Sequence, residues 1–152
     1  MYDIKNAKGE FFGSIFAFPV RIYYEDTDAG GIVYYANYLK FAERARSECL
    51  TALGINQRKI LLEERTGFVV RACNIEYLNS AVLEDNLIVT CEVAELGAAS
   101  LIIKQNILRG DEVLAKLEVK VINLNIDTHR PTRLSSNLRE KMEKIFKKTV
   151  AK

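Results

Sequence analysis

Apolar residues follow two different periods along this chain, one typical of a helix and one typical of strands. Between residue 32 and roughly residue 54 they recur at steps of three and four, which places them on one face of a long helix. The residues on this face are Tyr35, Tyr38, Ala42, Ala45, Cys49 and Leu53. Small residues in the middle of the face would let a sheet approach the helix axis closely, so we expect the helix to be buried.

From residue 67 onward the period changes to two. In residues 113–121 every second position is Val, Ala or Leu, which is typical of antiparallel strands with one covered face. The predicted strands are 17–24, 67–79, 86–97, 100–109 and 112–126, and residues 55–66 are predicted to be a short helical or irregular connection. A strand, a long helix and then strands without crossover helices predict an α+β fold, with one antiparallel sheet wrapped around the helix.

We predict a single domain of residues 1–152, because the chain can bury one core and has no internal repeat or linker. Its core is expected to span about 17–134. Residues 1–10 are expected to be loose, and about 136–148 to form an amphipathic C-terminal helix.

Composition and charge exclude several classes of function. The net charge is only +2 and the basic residues are dispersed, which argues against nucleic-acid binding. No apolar run is long enough to span a membrane, and no leader pattern opens the chain, so we expect a cytoplasmic protein. The three cysteines, Cys49, Cys73 and Cys91, are expected to be buried, reduced thiols. With one histidine and no Cys-x-x-Cys pair, no metal site is expected.

The clearest chemistry lies in an acidic, glycine-rich loop, residues 26–31, between the first strand and the long helix. Main-chain N–H groups at a helix start can stabilise negative charge that develops on a carbonyl oxygen. Asp28 could attack that carbonyl directly or activate a water molecule. Asp26 competes for this role, but we expect Asp26 and Thr27 to stabilise the loop through side-chain-to-backbone hydrogen bonds. The plainer alternative is that the loop is only a turn and a helix cap.

The sequence around this loop resembles a known family. The similar segments are 21–34, Asn37-Tyr38, Glu43-Arg44-Ala45-Arg46, Gly67-Phe68-Val69-Val70-Arg71 and Ile75-Glu76-Tyr77, within a region from about Phe18 to Leu134. They are similar to the hotdog-fold acyl-CoA thioesterases, within these to the 4-hydroxybenzoyl-CoA thioesterase family, and most of all to its YbgC-like, Tol–Pal-associated branch.

The resemblance implies a hotdog fold, a sheet curled around a central helix, with domains that pair through their sheets into homodimers, commonly assembled into homotetramers. It implies that Asp28 is the catalytic carboxylate and that the main-chain N–H of Tyr35 is the oxyanion donor. YbgC-like members usually carry histidine at the position of Tyr35, whereas the hydroxybenzoyl branch has an aromatic residue there. A mechanism that needs an imidazole at this position is therefore not expected.

The expected activity is hydrolysis of an acyl-CoA thioester, or of an acyl carrier protein thioester, without a cofactor. Besides the catalytic pair, the residues expected to bind substrate are Gly31, Val33, Tyr34 and Tyr38 near the loop, and Arg130 and Arg133, whose guanidinium groups could bind coenzyme A phosphates. Core packing is an equal alternative for Tyr34 and Tyr38. A helix carboxylate, Glu43 or Glu48, could replace Asp28, but the arginines beside Glu43 favour a paired or solvated charge.

Two other functions compete with hydrolysis. The dehydratases of the same fold need a histidine beside a carboxylate, and the only histidine here, His129, lies outside both the loop and the long helix. A non-catalytic acyl-binding or scaffold protein, linked to the cell envelope or phospholipid metabolism, is the other alternative. Asp28 discriminates between them, because a binding module does not need a carboxylate beside an oxyanion site.

Overall fold

The computed structural model describes residues 2–146. Its elements in chain order are β1 (Glu10–Phe12), β2 (Ile15–Arg21), a short 3-10 turn (Tyr24–Asp26), α1 (Asn37–Ala52), α2 (Gln57–Glu63), β3 (Thr66–Tyr77), β4 (Asn86–Leu96), β5 (Ser100–Arg109), β6 (Glu112–Asn125), β7 (Arg130–Pro131) and α3 (Ser136–Phe146).

All strands belong to one antiparallel sheet in the order β1-β2-β4-β5-β6-β3, and β7 pairs with the end of β6. Helix α1 packs against β2, β4 and β5. Its buried face consists of Tyr38, Phe41, Ala42, Ala45 and Cys49. The α+β prediction, a sheet around a long central helix, is confirmed.

The small side chains on α1 explain how the helix sits so close to the sheet. Ala42 and Ala45 are fully buried, so little side-chain volume separates the helix backbone from the strands. The inward residues of the neighbouring strands, such as Leu87, Val89 and Ile107, fill the remaining space and are themselves buried. Burial of each such large side chain contributes about 1.5–3 kcal/mol, which ties the helix firmly to the sheet.

The predicted start of the long helix was wrong by five residues. Ile32 and Val33 instead form isolated bridges with Val82 and Thr27, and α1 begins only at Asn37. The first strand likewise ends at Arg21 rather than at residue 24. The short strands β1 and β7 were not predicted, because segments of three and two residues carry no readable period.

Strand β3 forms the edge of the sheet beyond β6, and its other side has no partner strand within residues 2–146. Most of its residues are exposed, including Cys73, so the prediction of three buried thiols holds only for Cys49 and Cys91. The alternating pattern of β3 cannot reveal that a strand lies at an edge. The C-terminal helix is present as α3, and residues 147–148 of its predicted range lie outside the described residues.

Candidate active site

The acidic loop is closed at its base like a small hairpin. Thr27 pairs with Val33, and the N–H of Asp28 donates to the carbonyl oxygen of Ile32 at 2.9 Å. At the tip, the N–H of Gly31 donates to the carbonyl oxygen of Asp28 at 3.0 Å. Gly31 has a φ of 80°, a conformation that glycine adopts without the strain a Cβ would bring. The loop is therefore a defined structure and not a loose connection.

Asp26 anchors this loop from inside the protein. Its residue is only 9% exposed, and its Oδ2 accepts a hydrogen bond from the N–H of Tyr23 at 2.8 Å. Its carbonyl oxygen accepts from the N–H of Tyr34 at 3.0 Å and from the Asn37 side chain at 2.9 Å. Thr27 adds a hydrogen bond from its hydroxyl to the carbonyl of Tyr24 at 2.8 Å. The predicted loop-stabilising role of Asp26 and Thr27 is confirmed.

Asp28 lies in the exposed half of the loop. Its Oδ1 accepts a hydrogen bond from the N–H of Gly30 at 2.9 Å, a contact within the loop itself. Within the described residues no cation lies close enough to form an ion pair with it. The carboxylate therefore remains open to solvent and to a ligand.

The start of α1 leaves main-chain donors without partners. Its cap residue, Ala36, has no side-chain acceptor. The N–H groups of Tyr34 and Asn37 are used by other main-chain carbonyls, whereas the N–H of Tyr35 forms no hydrogen bond within residues 2–146. A free N–H at a helix start favours negative charge in its neighbourhood. This agrees with the oxyanion role expected for Tyr35.

A cluster of tyrosine rings holds this region against the end of β3. The hydroxyl of Tyr77 donates to the carbonyl oxygen of Tyr35 at 3.0 Å, and its ring packs edge-on against those of Tyr35 and Tyr38 at centroid distances of 6.1 and 5.5 Å. Burial, and then the neighbouring Tyr35, raise the pKa of Tyr77, so its hydroxyl keeps its proton at neutral pH. Sequence reasoning gave Tyr77 no role, because the contact joins residues 42 positions apart.

The residues predicted to bind substrate near the loop separate into two groups. Gly31 and Tyr34 are exposed, as a contact with substrate requires. Val33 and Tyr38 are each only 2% exposed, and the hydroxyl of Tyr38 accepts a hydrogen bond from the N–H of Ala81 at 2.9 Å. The structure therefore favours core packing, with a tethered hydroxyl in the case of Tyr38, for these two side chains.

Arg130 and Arg133 are not brought to the loop within one chain. In the sheet, Arg130 lies opposite Asn125 of β6. Asn125 in turn lies opposite Thr66, the first residue of β3. Tyr77, which contacts Tyr35, is the last residue of the same strand. At about 3.3 Å per residue, the two ends of β3 are roughly 36 Å apart. Both arginines are exposed, so they could meet a ligand only at the opposite end of the sheet.

A groove runs between α1 and β3, and we call it the α1–β3 groove. It combines two cavities of about 350 and 270 Å³ that share Glu43, Arg46 and Val70. It begins at Leu39, in the first turn of α1, and extends to Met142 on α3. Its lining is mainly apolar, a composition typical of small-molecule sites. Sequence reasoning did not find this groove, because it forms between segments distant in the chain.

Arg46 is the least exposed of the charged residues that line this groove. Its Nη1 donates to Oε1 of Gln105 at 2.9 Å, and Gln105 is 1% exposed. Burial lowers the pKa of Arg46, while nearby groups including Glu43 raise it. Glu43 is exposed, and its carboxylate does not lie within 4 Å of the guanidinium. The guanidinium stays charged, because an arginine pKa is far above neutral.

Comparison with known proteins identifies the family. The profile of the thioesterase superfamily matches residues 30–116. This chain belongs to that superfamily. It is 45% identical to "Acyl-CoA thioesterase YbgC" of Haemophilus influenzae, over 76% of this chain and 85% of that protein. It is 41% identical to "Acyl-CoA thioester hydrolase YbgC" of Escherichia coli O6:H1, over 75% of this chain and 84% of that one.

Solved structures of the superfamily share the fold. A probable thioesterase from Bartonella henselae superposes with a TM-score of 0.72 at 33% identity, covering 80% of this chain and 99% of that one. The hotdog fold and the YbgC-like branch expected from the sequence are confirmed. Within residues 2–146, no helix is both long and apolar enough to cross a membrane.

Proposed function

We propose that this protein is an acyl-CoA thioesterase that hydrolyses its substrate to a free acid and coenzyme A. The observation that carries the proposal is that, among residues 2–146, the N–H of Tyr35 just before α1 has no partner, after a hydrogen-bonded loop that exposes the carboxylate of Asp28. The relatives named above as YbgC are acyl-CoA thioesterases by name, and they supply the class of substrate.

In this mechanism the thioester carbonyl oxygen takes the hydrogen bond from the N–H of Tyr35. Negative charge on that oxygen grows in the tetrahedral state, so the N–H and the α1 dipole stabilise that state more than the substrate. Asp28 either attacks the carbonyl carbon, which gives an anhydride that water then hydrolyses, or removes a proton from an attacking water. In both routes the tetrahedral state collapses with cleavage of the C–S bond, and the departing coenzyme A thiolate takes up a proton. Gly31 lets the substrate approach the main chain, and Tyr34 lines the entrance. Tyr35 carries no imidazole, so its side chain takes no proton.

The proposal includes a homodimer, alone or as half of a homotetramer. It is supported by the free edge of β3, where exposed main-chain groups and the apolar Val69 and Val70 favour pairing with another strand. Pairing of β3 with its copy about a two-fold axis would be antiparallel. It would bring Arg130 and Arg133 of the partner subunit from the far end of the strand toward the loop, where they could bind coenzyme A phosphates.

The proposal also places the protein in the cytoplasm, which its three free thiols favour. An acyl carrier protein thioester is the second candidate substrate. Analytical ultracentrifugation tests the assembly, and a monomer at micromolar concentration would contradict it.

The activity is tested by coenzyme A release, measured with a thiol reagent, across short, long, branched and aromatic acyl-CoAs and one acyl carrier protein thioester. We expect release well above the rate in buffer for at least one acyl-CoA. If every thioester is bound but none is hydrolysed, the acyl-binding or scaffold alternative replaces this proposal.

A further inference from the structure

Gln105 and Arg46 place a polar pair inside an otherwise apolar layer. Gln105 faces the core between Ile103 and Ile107 on β5. Its amide is used at both ends, since Nε2 donates to the carbonyl oxygen of Ala42 at 3.0 Å and Oε1 accepts from Arg46. Gln105 therefore fixes the guanidinium of Arg46 in one place between α1 and the sheet.

Most of the hydrogen-bonding capacity of Arg46 is left over. A guanidinium has five N–H donors, and here a neutral amide oxygen is its one acceptor within residues 2–146. Every fully buried side-chain nitrogen or oxygen within the described residues 2–146 has a hydrogen-bond partner. The remaining nitrogens of Arg46 are therefore not sealed in protein. They open onto the α1–β3 groove, which Arg46 lines.

The groove beyond Arg46 has room for a hydrocarbon. Its larger cavity is about 350 Å³, more than twice the roughly 150 Å³ of a cavity that holds benzene. Apolar residues from the helices and the sheet form most of its wall, among them Leu50, Leu53, Val93, Ile103, Met142 and Phe146. Leu39, four residues after Tyr35 in the chain, opens the groove, and Arg46 lies about 10 Å further along the axis of α1.

We infer that the α1–β3 groove holds the acyl group and that Arg46 binds a carboxylate on that group, so the preferred substrates are coenzyme A thioesters of dicarboxylic acids. The inference rests on the proposed function and adds the class of acyl group to it. A half-buried cation without a counter-charge is costly, and a carboxylate relieves this cost through two parallel hydrogen bonds. The exposed Glu43 is near enough to favour the charged form of Arg46 but forms no ion pair with it, so within residues 2–146 the cation has no direct counter-charge.

The test compares three length-matched pairs of substrates: adipoyl- with hexanoyl-CoA, suberoyl- with octanoyl-CoA, and sebacoyl- with decanoyl-CoA. We expect the wild type to prefer the carboxylated member, by kcat/KM, in at least one pair. Loss of a charge-assisted hydrogen bond predicts that Arg46→Gln lowers this preference about ten- to a hundredfold. Both substrates of a pair are measured on the same protein, so any loss of folded enzyme cancels in the ratio.

Arg44→Gln is the matched control. Arg44 lies on the same helix but is exposed, with its guanidinium carbon 5.8 Å from the centre of the Phe41 ring, and it does not line the groove. Its variant should keep the wild-type preference. Arg46→Lys should retain part of the preference, because it keeps the charge but not the paired hydrogen bonds.

Several results would overturn the inference. One is a wild type that prefers the uncharged member of every pair, and another is a preference that survives Arg46→Gln. Faster hydrolysis of ω-hydroxyoctanoyl-CoA than of suberoyl-CoA would assign a neutral oxygen instead of a carboxylate. A change in oligomeric mass without a change in preference would assign Arg46 to a subunit interface.

The inference and the proposed function can fail separately. If the enzyme hydrolyses acyl-CoAs but its preference for carboxylated substrates does not depend on Arg46, only the inference fails. If no thioester is hydrolysed, the proposed function fails, and calorimetric binding of suberoyl-CoA and octanoyl-CoA to wild type and Arg46→Gln then makes the same comparison. Tighter binding of suberoyl-CoA that depends on Arg46 supports the carboxylate site, and equal binding overturns it.

Discussion

Asp26 and Asp28 are two residues apart in the same loop, yet the fold surrounds them differently. Asp26 is buried, and its side chain and carbonyl oxygen together accept hydrogen bonds from Tyr23, Tyr34 and Asn37. Asp28 is exposed, and its carboxylate accepts from Gly30 alone within the described residues. One half of the loop is therefore built into the structure, while the other half presents a free carboxylate.

The exposed half of the loop depends on the anchored half. Asp26 ties the loop to the start of α1 through Asn37, whereas the hydrogen bonds of Asp28 stay within the loop. The contacts of Asp26 therefore help to set the position of Asp28 relative to the N–H of Tyr35. Each carboxylate accepts one hydrogen bond, but that of Asp26 is buried and that of Asp28 is exposed, so only Asp28 can meet a substrate. Four predictions test these roles and those of the residues around the loop, from the largest expected effect to the smallest.

Asp28→Asn should reduce kcat for thioester hydrolysis by at least about 100-fold, because an amide can neither attack the carbonyl nor remove a proton. The free energy of unfolding and the affinity for acyl-CoA should stay near those of the wild type, since the substitution keeps an oxygen for Gly30. Coenzyme A release, urea denaturation and calorimetric binding measure the three quantities. Near-wild-type turnover would refute the catalytic role of Asp28.

Asp26→Ala should lower the free energy of unfolding by about 1–3 kcal/mol, because it removes a buried acceptor and leaves the N–H of Tyr23 unpaired. Asp28→Ala is the matched control and should change stability by less than half as much, since its contact is exposed. Urea denaturation of the two variants makes the comparison. Equal losses of stability would show that the two carboxylates do not differ in their structural roles.

Tyr77→Phe should lower kcat about two- to tenfold, because one hydrogen bond to the carbonyl of Tyr35 is lost while the ring packing remains. KM should hardly change, since Tyr77 positions the N–H donor and does not hold the substrate. Tyr24→Phe removes a hydroxyl from an exposed ring and should leave kcat unchanged. Steady-state kinetics that show a change in KM alone would contradict a positioning role.

Arg130→Ala and Arg133→Ala should each raise KM for acyl-CoA about two- to fivefold and leave kcat unchanged, because exposed charge pairs contribute little each. The effect should fade at high salt, where such pairs are screened. Kinetics at low and high ionic strength measure both effects. An unchanged KM in both variants would remove these arginines from the substrate site.

Local chemistry made part of this site predictable. The spacing from Tyr35 to Leu53 predicted one apolar face, and the four middle residues of that face, Tyr38, Ala42, Ala45 and Cys49, are buried on α1. Tyr35 was wrongly placed on this face, because it precedes the helix and is exposed. The roles of Asp26 and Thr27 followed from the habit of short polar side chains to bond to nearby backbone. These interactions join residues three positions apart, so they can be read along the chain.

Other features could not be predicted from the sequence pattern, because they depend on contacts between distant segments. The apolar residues Ile32 and Val33 look like the first turn of a helix, but bridges to Val82 and Thr27 hold them extended. The exposure of Cys73 depends on β3 lying at the edge of the sheet. A period shows which face of an element is apolar, but not which neighbour covers it.

By itself, the sequence determined the α+β fold, the buried face of the central helix and a loop with two aspartates. The tertiary structure decided that Tyr77 holds Tyr35, that Gln105 holds Arg46, and that a groove separates α1 from β3. The first set depends on contacts within a few residues, whose geometry the backbone fixes. The second depends on contacts between residues 42 and 59 positions apart, which exist only once the sheet has closed around the helix.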